Sequence, residues 1–366
     1  MEKNILIIIS QLWIWWWAEK VASTIWDELQ KNWYNVFYIT FYYAKKKYSF
    51  LWKEICLQES LSNNPIIKMY KLFKRAYTIN RYVKKHNIQT CISFMEEANF
   101  PNILSKIIFW NTSKIIVSIR QSIDSISRLY QRWIQLLYKK ANIIIPNSNE
   151  EADNLIKNYH IPSKKIHVIH NPINISLIQT LKTESLGKWS KKIIKDHFNF
   201  INIGRLSIEK NQKMIIESFI QFNKKYPNSS LFILWDGELK NDLLHITKHN
   251  KNIYFLWNQK NVYKFLAHAD CFLFASKREG FPNAVLDAMA CWVPIISTRF
   301  KTWILELIWN NENWLLIDQN DEKSFLETME KIYLDEKSRN HYKQKSIERA
   351  KNFQIENIIT NWKDIL

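Results

Sequence analysis

Two cations follow a predicted strand in the second half of the chain. The strand Phe198–Ile203 is followed by Gly204, Arg205 and Lys210, and a helix is predicted to begin near Asn211. A strand-to-helix turn presents backbone N–H groups and the positive end of the helix to an anion. Arginine can hold a phosphate through two hydrogen bonds, and lysine adds a point charge. The segment therefore predicts a phosphate site, with a solvated loop that carries two cations as the alternative.

A second segment places two acids on either side of a predicted helix start. Residues 279–297 read EGFPNAVLDAMACWVPIIS, with seven residues between Glu279 and Asp287. This segment resembles the donor-site signature of retaining GT-B glycosyltransferases of the family 4 type, in which two glutamates have this spacing. The resemblance extends to the segment around Arg205, to LFILWDGEL around Asp236, to HADCFLFAS and to His170-Asn171-Pro172. Nearly the whole chain is covered.

The resemblance implies a role for each matching residue. Arg205 and Lys210 would bind the donor diphosphate and stabilise the leaving group, and Glu279 would face the donor sugar. Asp287 stands where the family has its second glutamate, which holds the ribose hydroxyls, and its shorter side chain can still accept two hydrogen bonds. The alternative is that both acids only cap and solvate a helix. The remaining positions that the resemblance assigns to the donor are Gly204, Asp236 and the backbone of Phe281, Pro282 and Asn283.

Tryptophan is abundant in this chain, and glycine is scarce. The 366 residues include 17 tryptophans and 4 glycines, whereas glycine usually makes up about 7% of a protein. An α/β protein needs glycine in its turns, and tryptophans stand at such predicted turns. We therefore hypothesise that most of them are glycines in the living protein, since some bacteria read UGA as glycine and others as tryptophan. The alternative is a tryptophan-rich protein with aromatic membrane anchors. The turn positions are Trp33, Trp235, Trp292 and Trp314; Trp26, Trp52, Trp110, Trp133 and Trp189 are ambiguous, and Trp362 can be a true tryptophan.

The loop after the first predicted strand contains four of these tryptophans. Residues 12–20 read LWIWWWAEK, which becomes LGIGGGAEK if the tryptophans are glycines. Glycines at this place let the backbone approach a phosphate or an acceptor closely, and we assign Trp16 and Trp17 to donor binding. The same pattern fits a dinucleotide fingerprint, but NAD sites expect an acid near the end of the second strand. No Asp or Glu occurs between Glu28 and Glu54, which speaks against an oxidoreductase.

One arginine of the first half is a candidate for the acceptor side. Residues 117–120 read VSIR and look like the Ser-Glu-Arg segment of bacterial members that extend lipid-linked or surface glycans, with Ile119 in place of the acid. Arg120 would then contact the acceptor or its diphosphate, and a purely structural arginine is the equal alternative. No group of His, Cys and Asp has metal-ligand spacing. The resemblance implies neither a metal nor a cofactor, because the nucleotide sugar is itself a substrate.

Strands and helices alternate along both halves, with the last strand of the first half expected at residues 166–170. This alternation predicts an α/β fold with parallel, doubly wound sheets. The resemblance implies the GT-B arrangement of two Rossmann-like domains facing a cleft. We place the acceptor-side domain at residues 1–178, a lysine-rich linker at 179–197 and the donor-binding domain at 198–354. By analogy with similar proteins, the C-terminal helix at 355–366 is expected to pack back onto the first domain.

The chain is strongly basic, with a formal net charge of +18. Cations and aromatic residues are mixed in Tyr42–Leu51 and Lys68–Lys85, and such segments bind anionic lipid headgroups. Codon bias of an AT-rich gene and ordinary solvated lysine faces are alternatives. Nucleic-acid binding is disfavoured because no recognition motif appears. With no apolar run long enough to span a bilayer and no signal-peptide pattern, we expect a cytoplasmic enzyme on the inner face of the plasma membrane.

These observations predict a hexosyltransferase. It would move a sugar from a nucleotide diphosphate sugar, a UDP-sugar, to a lipid-linked or cell-envelope glycan with retention of anomeric configuration. One alternative is a GT-B sugar-nucleotide epimerase, which the pair Glu279 and Asp287 and the basic first half make less favourable. The other is a non-catalytic, membrane-associated binding protein, which would follow if Trp13–Trp17 were real indoles that fill the donor cleft.

Overall fold

The computed structural model describes residues 3–11, 17–43, 54–189, 193, 197–300, 304–307 and 314–366. The chain divides into two compact units, of which the first comprises Met1–Pro172 together with Ile355–Leu366 and the second comprises Ile173–Gln354. Each unit is built on a six-stranded sheet whose neighbouring strands are all parallel. The α/β class predicted from the alternating pattern is confirmed.

The sheet of the first unit has the strand order β3-β2-β1-β4-β5-β6. Helices connect these strands along the chain, and α2 is the longest of the described ones at 22 residues. The strands are β1 (Asn4–Ile9), β2 (Asn35–Thr40), β3 (Glu54–Cys56), β4 (Thr90–Phe94), β5 (Lys114–Ile119) and β6 (Ile143–Pro146), and the helices are α1 (Trp17–Lys31), α2 (Pro65–His86), α3 (Glu96–Phe109), α4 (Arg128–Leu137) and α5 (Asn149–Lys157).

The central strand of the first unit shows why the sequence forms a sandwiched sheet. All six residues of β1 are apolar except the first, because a parallel sheet is covered by helices on both faces. Successive side chains point to opposite faces. Ile5, Ile7 and Ile9 accordingly join one buried cluster, while Leu6 and Ile8 join another.

The second unit repeats the same topology, with the strand order β12-β11-β10-β7-β8-β9. It begins with helix α6 (Ile175–Leu181), and its core is lined by apolar side chains from β7, β8, β10 and α7. The other elements are β7 (Phe198–Ile203), α7 (Gln212–Lys225), β8 (Ser229–Leu234), α8 (Lys240–Thr247), β9 (Ile253–Trp257), α9 (Tyr263–Leu266), β10 (Cys271–Phe274), α10 (Asn283–Ala290), β11 (Ile295–Arg299), α11 (Ile304–Leu307), β12 (Leu315–Asp318), α12 (Glu322–Leu334) and α13 (Glu336–Ala350).

The last helix, α14 (Ile355–Asp364), is part of the first unit. Ile358, Ile359 and Trp362 lie in the buried cluster that contains the odd-numbered residues of β1. Lys114 Nζ donates a hydrogen bond of 2.8 Å to the carbonyl oxygen of Ile365. The C-terminal segment therefore supplies one of the layers that cover the first sheet.

Two boundaries differ from those expected from the sequence. Residues 173–178 were placed in the first domain, and 179–197 were assigned to a linker, but both stretches fall within the second unit. The helix α6 spans part of each, held by Asn174, whose side chain accepts a hydrogen bond from the backbone N–H of Leu177. The predicted strand 166–170 is a second correction: the segment bonds to β6 through His167 and Ile169 but is no regular strand.

Candidate functional site

The candidate site of the second unit lies where its strand order reverses. β7 and β10 are neighbours in the sheet, yet the chain leaves β7 toward β8 on one side and reaches β10 only after β9. Ligands of open α/β sheets bind outside the carboxyl ends of the strands at such a switch point. The loop 204–211 follows β7 and the loop 275–282 follows β10, so both loops meet at this place.

The loop after β7 carries the two predicted cations. The Arg205 side chain is exposed, and the Lys210 side chain is partly buried. Gln212, which sequence reasoning did not single out, donates from Nε2 to the carbonyl oxygens of Gly204 at 3.1 Å and Arg205 at 3.0 Å. Gln212 therefore fixes the turn that presents Arg205, and nothing in the sequence pattern distinguished it from an ordinary first-turn residue of α7.

The loop after β10 meets the loop after β7 through an ion pair. Lys210 Nζ donates to Glu279 Oε1, and the hydroxyl of Ser276 donates to the same oxygen at 2.7 Å. A backbone hydrogen bond of 2.7 Å from Lys277 N to the carbonyl oxygen of Glu209 joins the loops again. The side chain of Glu279 is only 9% exposed, which reduces the screening of this pair by solvent. Two predicted site residues, 69 positions apart in sequence, are thus in contact.

A third loop, after β8, packs against the loop that carries Arg205. Leu206 N donates to the carbonyl oxygen of Asp236 at 3.1 Å, and Leu239 N donates to the carbonyl oxygen of Leu206 at 3.1 Å. A Cβ atom on Gly237 would lie 2.3 Å from the carbonyl oxygen of Leu206, so only glycine fits this approach. The Asp236 carboxylate faces its own loop, since it accepts from Gly237 N and Lys240 Nζ.

The predicted donor-binding segment 281–287 forms the start of α10. Phe281 and Pro282 are buried, and Asn283 is partly buried at the first position of the helix. Asp287 is 2% exposed, and its Oδ1 accepts a hydrogen bond of 3.2 Å from the hydroxyl of Tyr263. The sequence did not indicate Tyr263 as a site residue, because it lies 24 residues before Asp287. The sequence pattern of its helix does not show that the helix packs beside α10.

Comparison with known proteins shows the family to which the chain belongs. The family model for glycosyl transferases group 1 matches residues 186–349, and the model for Glycosyltransferase Family 4 matches residues 66–177. An uncharacterized glycosyltransferase of Methanocaldococcus jannaschii is 35% identical to the chain, over 94% of this chain and 96% of that protein. The chain belongs to the glycosyltransferases.

Two further similarities bear on the fold and on the relatives of this glycosyltransferase. It is 29% identical, over 80% of both chains, to the Campylobacter jejuni N-acetylgalactosamine-N,N'-diacetylbacillosaminyl-diphospho-undecaprenol 4-alpha-N-acetylgalactosaminyltransferase. The crystal structure of Anabaena HepE in complex with UDP matches it with a TM-score of 0.79 at 15% identity, over 99% of both chains. The fold is GT-B.

In the first unit of the glycosyltransferase, Arg120 is a buried side chain. It is 8% exposed, its Nε donates to the hydroxyl of Ser118 at 2.8 Å, and its Nη1 donates to Asn171 Oδ1 at 2.7 Å. Its guanidinium carbon lies 5.6 Å from the Phe94 ring centroid and 5.8 Å from that of Trp362. Burial lowers the pKa of Arg120 to about 9. These contacts fit the structural alternative, since they hold β5, the segment before Pro172 and α14 together.

Most of the loop that follows β1, which the sequence assigns to donor binding, lies outside the described residues. Trp16 lies outside the described residues, and Trp17 begins α1 with its side chain outside them. Within the described part of the chain, no group of three or more His, Cys, Asp and Glu side chains could hold a metal ion. No helix of this described part combines the length and the apolar composition that a membrane span requires.

Proposed function

We propose that this glycosyltransferase takes its sugar from a nucleoside diphosphate sugar, a UDP-sugar, bound at the switch point of the second unit. The observation that carries the proposal is the convergence there of Arg205, Lys210 and Glu279 from the carboxyl ends of β7 and β10. Arg205 and Lys210 would hold the diphosphate, and Glu279 would orient Lys210 and face the sugar. Preorganised cations stabilise the negative charge that develops on a leaving diphosphate.

The proposed reaction is a transfer with retention of configuration. The bond between the anomeric carbon and the diphosphate oxygen breaks, and its electron pair leaves with the nucleoside diphosphate. A bond from the acceptor hydroxyl oxygen to the same carbon forms, and the hydroxyl proton is released. Since Arg205 and Lys210 supply the positive charge, we expect the reaction to proceed without a metal ion, so chelation by EDTA should leave the rate unchanged.

The proposed acceptor is a lipid-linked or cell-envelope glycan, and the proposed location is the inner face of the plasma membrane. The Campylobacter jejuni relative acts, by its name, on a diphospho-undecaprenol-linked sugar. Helix α2 adds support, because it carries seven Lys and Arg residues and no Asp or Glu. Its exposed apolar side chains include Ile66, Met69 and Tyr70. A basic, partly apolar helix surface of this kind binds anionic lipid surfaces.

We also propose that tryptophans at turn positions of this chain are glycines in the living protein. Among the residues that the structure describes, eleven other than glycine have positive φ, and five of them are tryptophans: Trp33, Trp110, Trp235, Trp257 and Trp292. A bulky residue in the left-handed region costs about 1–2 kcal/mol, whereas glycine pays no such penalty. Trp33 and Trp292 follow the helices α1 and α10, where C-terminal caps favour glycine.

The side chains of these tryptophans support the same proposal. Trp33 is 83% exposed and Trp110 is 78% exposed, so neither indole contributes much burial that could offset the backbone strain. Trp235 has a φ of 116° and directly precedes Asp236 and Gly237 in the loop against Leu206. Trp362 differs: it is fully buried within α14, as expected of a true tryptophan.

The proposed donor chemistry is tested by a matched pair of lysine substitutions. We expect Lys210→Gln to lower kcat by about 10²–10³-fold with a panel of UDP-, GDP- and ADP-sugars, because it removes a preorganised charge from the leaving group. The control is Lys213→Gln in the first turn of α7, where the lysine side chain is 62% exposed. Steady-state rates of nucleotide release measure both, and NMR of the product gives the anomeric configuration. Equal rates for the two variants would contradict the proposed role of Lys210.

Peptide mass spectrometry of the native protein tests the proposed recoding. Peptides that span residues 33, 235 and 292 should have masses that correspond to glycine at those positions, and the peptide that contains residue 362 should retain tryptophan. Masses that correspond to tryptophan at all four positions would exclude the recoding.

A further inference from the structure

The first unit contains a pocket that the donor site does not use. Its volume is about 630 Å³, which falls within the range of small-molecule sites. It lies between the N-terminal half of α2, the start of α4 and the residues that follow β2 and β4 at the carboxyl edge of the sheet. The apolar side chains that line it include Met69, Leu72, Phe100, Leu129 and Tyr130.

A buried polar cluster borders this pocket on one side. Arg75 pairs with Glu59 Oε2 at 2.7 Å and with Glu97 Oε1 at 3.1 Å, and its Nη2 donates to the hydroxyl of Tyr42 at 3.0 Å. The two carboxylates exceed the charge of Arg75 by one negative charge, and burial raises the pKa of Tyr42 to about 12. The cluster therefore gives the pocket a polar side and adds no net positive charge to it.

The positive charge at the pocket comes from Lys68 and Lys71. Both line it, the first is exposed and the second donates to the carbonyl oxygen of Ser60. Within the described residues neither is in an ion pair with a carboxylate. The two lysines outweigh the single negative charge of the cluster, so the charge at the pocket is net positive. An apolar cavity with a positive side is complementary to an amphiphile that has a hydrocarbon chain next to an anionic group.

We propose that this pocket binds the hydrocarbon chain of a lipid diphosphate, with Lys68 and Lys71 contacting its phosphates. The proposal rests on the proposed function only in that the lipid would be the carrier of the glycan acceptor. The polar and apolar parts of such a ligand match the pocket: the chain lies against Met69, Leu72 and Leu129, and the diphosphate faces the lysines. The pocket would thereby hold the lipid end of the acceptor at the carboxyl edge of the first sheet.

The test uses farnesyl diphosphate and inorganic diphosphate as probes, titrated calorimetrically into the full chain at saturating UDP. UDP fills the proposed donor site, so that diphosphate binding there does not contribute. We expect farnesyl diphosphate to bind about tenfold or more tightly than inorganic diphosphate, because only the former places apolar groups in the pocket. Equal affinity of the two probes, or no binding of farnesyl diphosphate, would overturn the hydrocarbon site.

Matched variants identify the pocket as the binding site. Leu129→Gln should weaken farnesyl diphosphate binding about tenfold, whereas Leu136→Gln should not change it; the two leucines are 62% and 69% exposed on α4, and only Leu129 lines the pocket. Lys68→Gln should weaken binding, and Lys84→Gln on the same helix should not. Equal losses in the members of either pair would refute the proposal.

The proposed donor site is tested independently with the same protein preparation. A titration with UDP alone, in wild type and in Lys210→Gln, reports on the second unit. Absence of UDP binding with farnesyl diphosphate binding intact would reject the donor assignment and leave the lipid pocket standing. UDP binding without farnesyl diphosphate binding would do the reverse.

Discussion

Burial decides the behaviour of ionisable side chains in the first unit. Glu151 is 2% exposed on α5, where its Oε1 accepts hydrogen bonds from Ile123 N at 3.4 Å and from Asn154 Nδ2 at 3.1 Å. Desolvation outweighs these bonds and raises its pKa to about 8. The carboxyl group of Glu151 is thus protonated at neutral pH, and its deprotonation at higher pH destabilises the folded state.

The free energy of unfolding should therefore fall as the pH rises between about 4.5 and 8. The folded state binds the Glu151 proton in this range and the unfolded state releases it, so the slope of stability with pH is negative. We expect the unfolding midpoint to fall by about 2–4 °C or more between pH 6 and pH 8.5, as about 1 kcal/mol would produce. Glu151→Gln should reduce this fall, and Asp153→Asn on the same helix, at an exposed site, should not. A pH profile of Glu151→Gln identical to that of wild type would contradict this assignment.

At the scale of elements, the candidate donor site depends on loops that brace one another. The loop after β7 is held by Gln212 from within α7, by the loop after β10 through Lys277, and by the loop after β8 through Leu206. Arg205 itself is exposed. The position of Arg205 is therefore set by the hydrogen bonds that hold the backbone of its loop.

Gly237→Ala tests this dependence. The added Cβ would meet the backbone of Leu206, which cannot move without displacing Arg205. We expect kcat/KM to fall about tenfold or more and the stability to fall by about 1–3 kcal/mol, the usual cost of overpacking. Gly187→Ala is the control, since it has no neighbouring atom within 4 Å, although its φ of 59° adds some strain. Undiminished activity of Gly237→Ala would show that the loop after β8 does not position the site.

At the scale of the whole molecule, the two units share one sheet topology, and each has its own hydrophobic core. Both sheets have the order 3-2-1-4-5-6 when each is numbered from its own first strand. The first unit is completed by α14 from the far end of the chain, which covers one face of the sheet with Ile358, Ile359 and Trp362. The chain therefore crosses from the second unit back to the first after Gln354.

Removal of residues 355–366 should destabilise the first unit selectively. The deletion exposes the cluster around Ile5, Ile7 and Trp26, and removes the ring that lies against Arg120. We expect hydrogen exchange of β1 and β4 to accelerate by about 10²-fold or more, while β7 and β8 keep their protection, because stability is distributed by local cores. Uniform acceleration in both sheets, or none in either, would be inconsistent with α14 acting as a layer of the first unit alone.

The sequence by itself determined the class of fold and supplied the residue pattern on which the proposed donor chemistry rests. Alternating apolar runs and helical spacings report burial directly, because a strand covered on both faces has to be apolar along its length, as β1 is. The string from Glu279 to Ser297 and the turn Gly204–Lys210 are local patterns, so they were readable without any knowledge of distant contacts. Three of the four tryptophans assigned to turns, Trp33, Trp235 and Trp292, do have positive φ, since backbone φ limits residue type locally, whereas Trp314 is buried.

Only the tertiary structure decided which of these residues meet. The Lys210–Glu279 pair, the approach of Gly237 to Leu206 and the bond from Tyr263 to Asp287 join residues far apart in the sequence. The pocket beside Lys68 and Lys71 likewise needs α2, α3 and α4 in place. The predictions of a strand at 166–170 and a linker at 179–197 were wrong for the same reason. Neither the periodicity nor the composition of a short segment shows which other parts of the chain pack against that segment.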